Sequence, residues 1–207
     1  MGNTVITIAR SYGSGGLTVG KLLAERLGIN CYDRELLRIA SDESGINEAL
    51  FGQVDEKLKK SPLFSIMKQN PYKGSVIGPE NADFVSDDNL YNYQAKVIRE
   101  LAEQESCVII GRCADYVLKD NPDVIRLYLY APLEDCVARV MKKNGLSEKD
   151  AIKKIEKIDT YRAVYYRYYT GKDWNDARNY NFCLDTTSMS YEKLVAVVEN
   201  FINIYQK

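Results

Sequence analysis

The sequence predicts an α/β fold: a three-layer α/β/α arrangement around a five-stranded parallel sheet. Three observations predict it. Short apolar, β-rich runs alternate with helical patterns along most of the 207 residues. The runs are close to continuously apolar, as expected for strands covered on both faces. The first run also leads through a glycine-rich turn straight into an amphipathic helix, an order in which α/β folds bind anions.

Residues 4–9 (TVITIA) read as the first strand and 30–33 (NCYD) as a short second one. SCVIIG at 106–111, VIRLYLYA at 124–131 and NFCLD at 181–185 supply three more. Between the first two, Val19, Leu22, Leu23 and Leu27 mark one apolar helical face, and Gly28 stops the helix. Residues 88–104 form a second clear helix, and APLEDCVARVMKKNG a third, with Pro132 near its start and Gly145 at its end. A long helix follows from a Ser147 cap through DTYRAVYYRYY, and SYEKLVAVVENFINIY closes the chain. Residues 52–87 interrupt the pattern, punctuated by Pro62, Pro71 and Pro79. The stretch is too long for an ordinary connection, so it reads as a flap or small helical insert, with a disordered surface loop as the alternative.

Hydrophobic residues make up 45% and charged residues 28%, ordinary values for a globular protein. The formal net charge of −1 offers no global basic field for nucleic acid or an anionic membrane. No apolar run is long enough to cross a bilayer and no signal-peptide layout follows Met1, so a cytoplasmic location is expected. The five cysteines form no C-x-x-C pair, and the three in apolar runs read as small buried hydrophobes. Histidine is absent, which removes serine–histidine and cysteine–histidine catalysis and histidine metal sites. Chemistry must then run on carboxylates, arginines, lysines, backbone amides or a bound metal.

A literal match to the phosphate-loop pattern runs from Gly15 to Lys21 (GGLTVGK). It is a coincidence of spacing. Leu22 follows, with no hydroxyl for magnesium, and Lys21 lies about 200° around the helix from Val19, on the side opposite the apolar face. The better register begins right after the first strand. RSYGSGGLT places Gly13, Ser14, Gly15 and Gly16 around the turn and Thr18 in the first residues of the helix. Such a turn lets backbone amides converge on an anion at the positive end of the helix. The alternative is a tight turn that needs glycine only for packing.

ITIARSYGSGG, LAERLGINCYDRELL, CVIIGRCADYVL and DTYRAVYYRYYTGKDW, in that order, resemble the cytidylate kinase-like proteins of the P-loop nucleoside monophosphate kinase group. The resemblance covers nearly the whole chain. It implies a P-loop kinase-like single domain over 1–207, with its core at 1–51 and 88–207, an acceptor-binding insert at 52–87 and a helical lid at about 147–178. It also implies that Gly13, Ser14, Gly15 and Thr18 hold donor phosphates and that Asp33, Arg34 and Arg112 face the acceptor. Asp159 and Arg162 resemble the lid's D-x-x-R, which implies that Asp159 binds substrate, with Arg167 as a second lid cation. Two positions depart from the family pattern: Gly16 stands where the family has lysine, and Ile110 where an aspartate precedes the GR pair.

Phosphoryl transfer depends on cations along the developing charge, so a substitute is required. Arg10, at the exit of the first strand, is the best-placed candidate, since a guanidinium binds phosphate bidentately. The alternative for Arg10 is a surface ion pair. Arg162 and Arg167 would add charge on lid closure, and Asp33, with Thr18, is the candidate magnesium ligand. Asp33 could equally cap the helix that opens at RELL, and Arg112 could be a solvated helix-start residue. Tyr161, Tyr165, Tyr168 and Tyr169 fall near one helical face while Tyr166 points elsewhere; the cluster reads chiefly as packing that seats the lid helix, with base stacking or a homodimer contact as the alternative.

The expected function is magnesium-dependent phosphoryl transfer from ATP to a small nucleotide, a CMP- or dCMP-type monophosphate first, with no nucleic-acid or membrane partner. The alternatives are a nucleotide-binding degenerate kinase or sensor without efficient transfer, and a P-loop kinase with a non-nucleotide acceptor.

Overall fold

The computed structural model describes residues 3–57 and 75–205. Five parallel strands stand in the order β2-β3-β1-β4-β5, namely Asn30–Tyr32, Cys107–Ile110, Val5–Arg10, Val124–Tyr130 and Phe182–Asp185. β1 is central and pairs with both β3 and β4. The expected strands are all present, with ends within one residue of those read from the sequence.

The pleat explains why the strand runs are apolar on both sides. Val5 and Ala9 of β1 join one core cluster, and Ile6 and Ile8 join the other. Cys107 and Ile109 of β3 alternate with Val108 and Ile110 in the same way. Helices α1 (Gly16–Leu27) and α8 (Tyr191–Tyr205) cover one face. The other face is covered by α2 (Glu35–Ser44), α3 (Glu48–Lys57), α4 (Asp87–Gln104) and the short α5 (Ala114–Val117). Helices α6 (Leu133–Asn144) and α7 (Glu148–Thr170) pair through a third cluster of Cys136, Val137, Val140, Ala151 and Ile155.

Of the expected insert at 52–87, residues 58–74 lie outside the described residues. Its flanks close α3 and return through 75–86 to α4. There Asn89 ties the return down, accepting from the Ile77 amide at 2.8 Å and donating to the Ile77 and Phe84 carbonyls.

The tyrosines of α7 seat its C-terminal half. Tyr169 stacks on Tyr91 of α4 with centroids 3.8 Å apart, and Tyr165 meets both rings. Tyr166, expected from its helical phase to point elsewhere, is buried and donates to the Asp115 carboxylate at 2.6 Å. The cause is that Asp115 approaches from α5, on a flank that the spacing of α7 alone does not mark.

Among the described residues no helix is long and apolar enough to cross a membrane.

Candidate active site

At the carboxyl end of the sheet a cleft of about 980 Å³ opens between the β1–α1 turn, the residues after β2 and β3, and the inner faces of α6 and α7. This is where parallel α/β sheets place ligands.

The turn is built for close approach. Gly13 and Gly15 are left-handed, at φ 90° and 85°. A side chain on Gly13 would meet the Cys136 carbonyl at 2.8 Å, and one on Gly15 the Tyr191 ring at 2.6 Å. Ser14 is buried and spends its hydroxyl within the turn, donating to the Ser11 carbonyl at 2.9 Å and accepting from the Gly16 amide at 3.3 Å. Arg139 of α6 holds the turn from behind: Nη1 donates to the Ser14 carbonyl at 2.8 Å and Nη2 to the Thr186 carbonyl at 2.7 Å. The Thr186 hydroxyl donates to the same Ser14 carbonyl at 2.6 Å. With that carbonyl tied back, the first amides of α1 have no acceptor inside their own helix; that of Gly16 goes to the Ser14 hydroxyl, while Leu17 and Thr18 line the cleft. Thr18 is exposed there, while Lys21 is exposed and is not among the residues lining the cleft.

Arg10 runs along the floor of the cleft. A Cβ on Gly16 would lie 2.6 Å from the Arg10 Cβ, and a Cβ on Gly111 would lie 2.1 Å from its Nη1. Two glycines therefore bracket the side chain, one at its root and one at its tip. Arg10 pairs with Asp33 at 3.8 Å, the two side chains being 19% and 24% exposed. Burial, and after it the neighbouring Arg162, push Arg10 down to about 9, which leaves it cationic at neutral pH. Asp33 does not cap α2; Arg34 stands at that N-cap without a side-chain bond, because the carboxylate is turned toward Arg10.

After β3 the chain makes a left-handed turn through Gly111, Arg112 and Cys113, at φ 74°, 59° and 55°. Two successive non-glycine residues in this region cost about 1–2 kcal/mol each, and such strain concentrates at functional sites. The turn sets Arg112 in the cleft and Cys113 in the core. α5 is a single turn, so Arg112 is not the solvated start of an extended helix. Asp115 lines the same end of the cleft, with its carboxyl raised by burial.

Helix α7 faces the cleft with Ile158, Tyr161, Arg162, Tyr165 and Tyr166. Arg162 donates through Nη1 to the Arg10 carbonyl at 2.9 Å and to Asp159 Oδ1 at 3.1 Å. The Asp159 carboxylate accepts the Tyr12 amide through both oxygens, at 2.9 and 3.0 Å. Burial raises the Asp159 carboxyl, against the pull of Arg162 and the Tyr12 amide.

The structure thus brings Arg10, Gly13, Gly15, Gly16, Thr18, Asp33, Arg34, Arg112 and Arg162 to one cleft. Arg167 is not in it: the side chain is exposed and pairs with Asp173 at 2.6 Å. It follows Tyr165 by two residues, about 200° around the helix, so it leaves on the outer side. Asp159 meets the turn rather than lining the open cleft. Sequence reasoning missed Arg139, Asp115 and Tyr191, all of which line the cleft.

The model of the cytidylate kinase-like family matches residues 5–188. A cytidylate kinase of Methanopyrus kandleri is 26% identical over 210 residues, which span 97% of this chain and 94% of that one. An uncharacterized protein from Eubacterium ventriosum superposes with TM-score 0.70 at 28% identity, covering 97% of this chain and 99% of the other. A shikimate kinase from Bacteroides thetaiotaomicron shares the fold, with TM-score 0.56 at 13% identity over 97% and 98% of the two chains.

Proposed function

The chain belongs to the cytidylate kinase-like family, and we propose that it transfers a phosphoryl group from ATP to a small nucleotide, with CMP or dCMP as the leading acceptor. The observation that carries the reading is Arg10, threaded between Gly16 and Gly111 at the foot of the glycine turn. It supplies a fixed cation where the family's lysine is missing. Arg112 and Arg162 stand with it among the arginines that line the cleft, and charge on the transferred group is what such a cleft stabilises.

In this reading the turn from Gly13 to Thr18 holds the donor phosphates through amides. Arg112 and Arg34 face the acceptor, with segment 52–87 as the acceptor-side insert. Arg167 stands outside the set. Magnesium ordinarily keeps several waters and takes phosphate oxygens with one or two protein donors. Thr18 and Asp33 are such donors, and both line the cleft. Among the described residues no group of three acidic, cysteine or histidine side chains forms a dedicated metal cage, which suits an ion that arrives with ATP. When bound, it would neutralise phosphate charge. The chain's own residues hold, orient and screen.

A second reading, a nucleotide-binding protein without efficient transfer, is favoured by Ile110. It is fully buried in the α1-side core, so the position before Gly111 offers no carboxylate. Purified protein given ATP, magnesium and a panel of CMP, dCMP, UMP and other monophosphates decides between the two. ADP formation that depends on the acceptor supports transfer. ATP binding without ADP formation for any acceptor supports the second reading instead.

A further inference from the structure

The resemblance places Asp159 with the substrate, yet its carboxylate is spent elsewhere. Both oxygens accept the backbone amide of Tyr12. One helical turn on, Arg162 donates to the carbonyl of Arg10. Between them the Ser11 amide donates to the Leu129 carbonyl at 3.1 Å. The backbone leading from the strand into the glycine turn is therefore pinned at three successive residues, two of them by α7. The Tyr12 ring is also under α7 cations, with Arg162 at 5.7 Å and Lys154 at 5.9 Å from its centroid.

A carboxylate on a backbone amide is a strong, directional hold, and here it acts on residue 12, between the cation at Arg10 and the turn glycine at Gly13. We propose that Asp159 is a positioning residue for the donor-phosphate turn: it fixes the Tyr12 amide, and with it the path from Arg10 to Gly13, rather than touching the acceptor. Because the hold comes from α7, the same contact couples the position of that helix to the shape of the turn. The inference rests on the reading of the glycine turn as the donor site.

The test is the division of effects between donor and acceptor in Asp159→Ala and Asp159→Asn. Asparagine keeps one oxygen for the Tyr12 amide and alanine keeps none. Displacing a binding element by about an ångström costs up to about a hundredfold, so Asp159→Ala should raise the KM for ATP by about tenfold or more. The acceptor KM should stay near the wild-type value, and Asp159→Asn should recover part of the loss. Amide hydrogen exchange at Tyr12 should accelerate in Asp159→Ala and less in Asp159→Asn, and ATP affinity by calorimetry should fall in the same order. A raised acceptor KM with unchanged ATP affinity would overturn the proposal. So would unaltered exchange at Tyr12. If the wild type binds ATP but phosphorylates no nucleotide, the transfer reading fails while exchange and calorimetry still decide the role of Asp159. If the wild type binds no ATP, both fall together. Should Asp159→Ala fail to fold, Asp159→Asn carries the same comparison with a smaller expected change.

Discussion

Arg10 occupies the space that a side chain at residue 16 would need: a Cβ there would stand 2.6 Å from the Arg10 Cβ and 3.1 Å from its Cγ. The absent side chain at residue 16 and the half-buried arginine are thus one geometric feature. Gly16 is not in a left-handed conformation, since its φ is not among the positive ones, so what requires glycine there is the neighbour and not the backbone. In the proposed function the charge is carried by the strand in place of the helix.

Loss of that charge should be costly. Arg10→Ala is expected to lower kcat/KM for ATP by about tenfold or more, the scale on which removal of one well-placed transition-state group is felt. Lys21→Ala, on the exposed side of α1, should leave it unchanged. Steady-state kinetics on the two variants check this, and equal losses would place the phosphates in the other register.

Gly111 holds the far end of the same side chain. Gly111→Ala should impair activity in two ways, because its φ of 74° disfavours a Cβ and because that Cβ would meet Arg10 Nη1. Gly28→Ala isolates the first effect: its φ is 67° and nothing lies within 4 Å. Both variants should lose about 1 kcal/mol or more of stability in chemical denaturation. Only Gly111→Ala should also lose turnover.

The strands, the main flanking helices and the start of the anion turn were legible because each is local. Val19, Leu23 and Gly28 announce α1 by spacing alone, and TVITIA announces a strand covered on both faces. Arg10 was legible because strand ends in a parallel sheet converge, whereas Arg34, Arg112 and Arg162 rested on the resemblance. What stayed hidden depends on contacts between distant residues. Thr186 reaches Ser14 across 172 positions, and Arg139 braces the same carbonyl from a helix whose pattern marks only its packing face. Tyr166 finds Asp115 on another element, and the phase of Arg167 becomes decisive only once the cleft-facing side of α7 is known. The left-handed turn at Arg112 and Cys113 gives no composition signal, since only its first residue is glycine.

Tyr165 offers a test on stability alone. Among the described residues its buried hydroxyl has no hydrogen-bond partner, an arrangement that costs about 1–3 kcal/mol. Tyr165→Phe keeps the ring contacts with Tyr91 and Tyr169 and removes the unpaired group. Its melting temperature should equal or exceed that of the wild type by calorimetry.

The most direct test of the account is a double-mutant cycle at Arg10 and Gly16, read as kcat/KM for ATP. Gly16→Lys alone should be poorly active and less stable, since the new side chain collides with Arg10. Arg10→Gly alone should be poorly active for want of the cation. Arg10→Gly combined with Gly16→Lys, which clears the space and returns the charge to the helix, should exceed both single variants. If Gly16→Lys is fully active with Arg10 in place, or if the double variant is worse than either single one, Arg10 is not the substitute for the missing lysine.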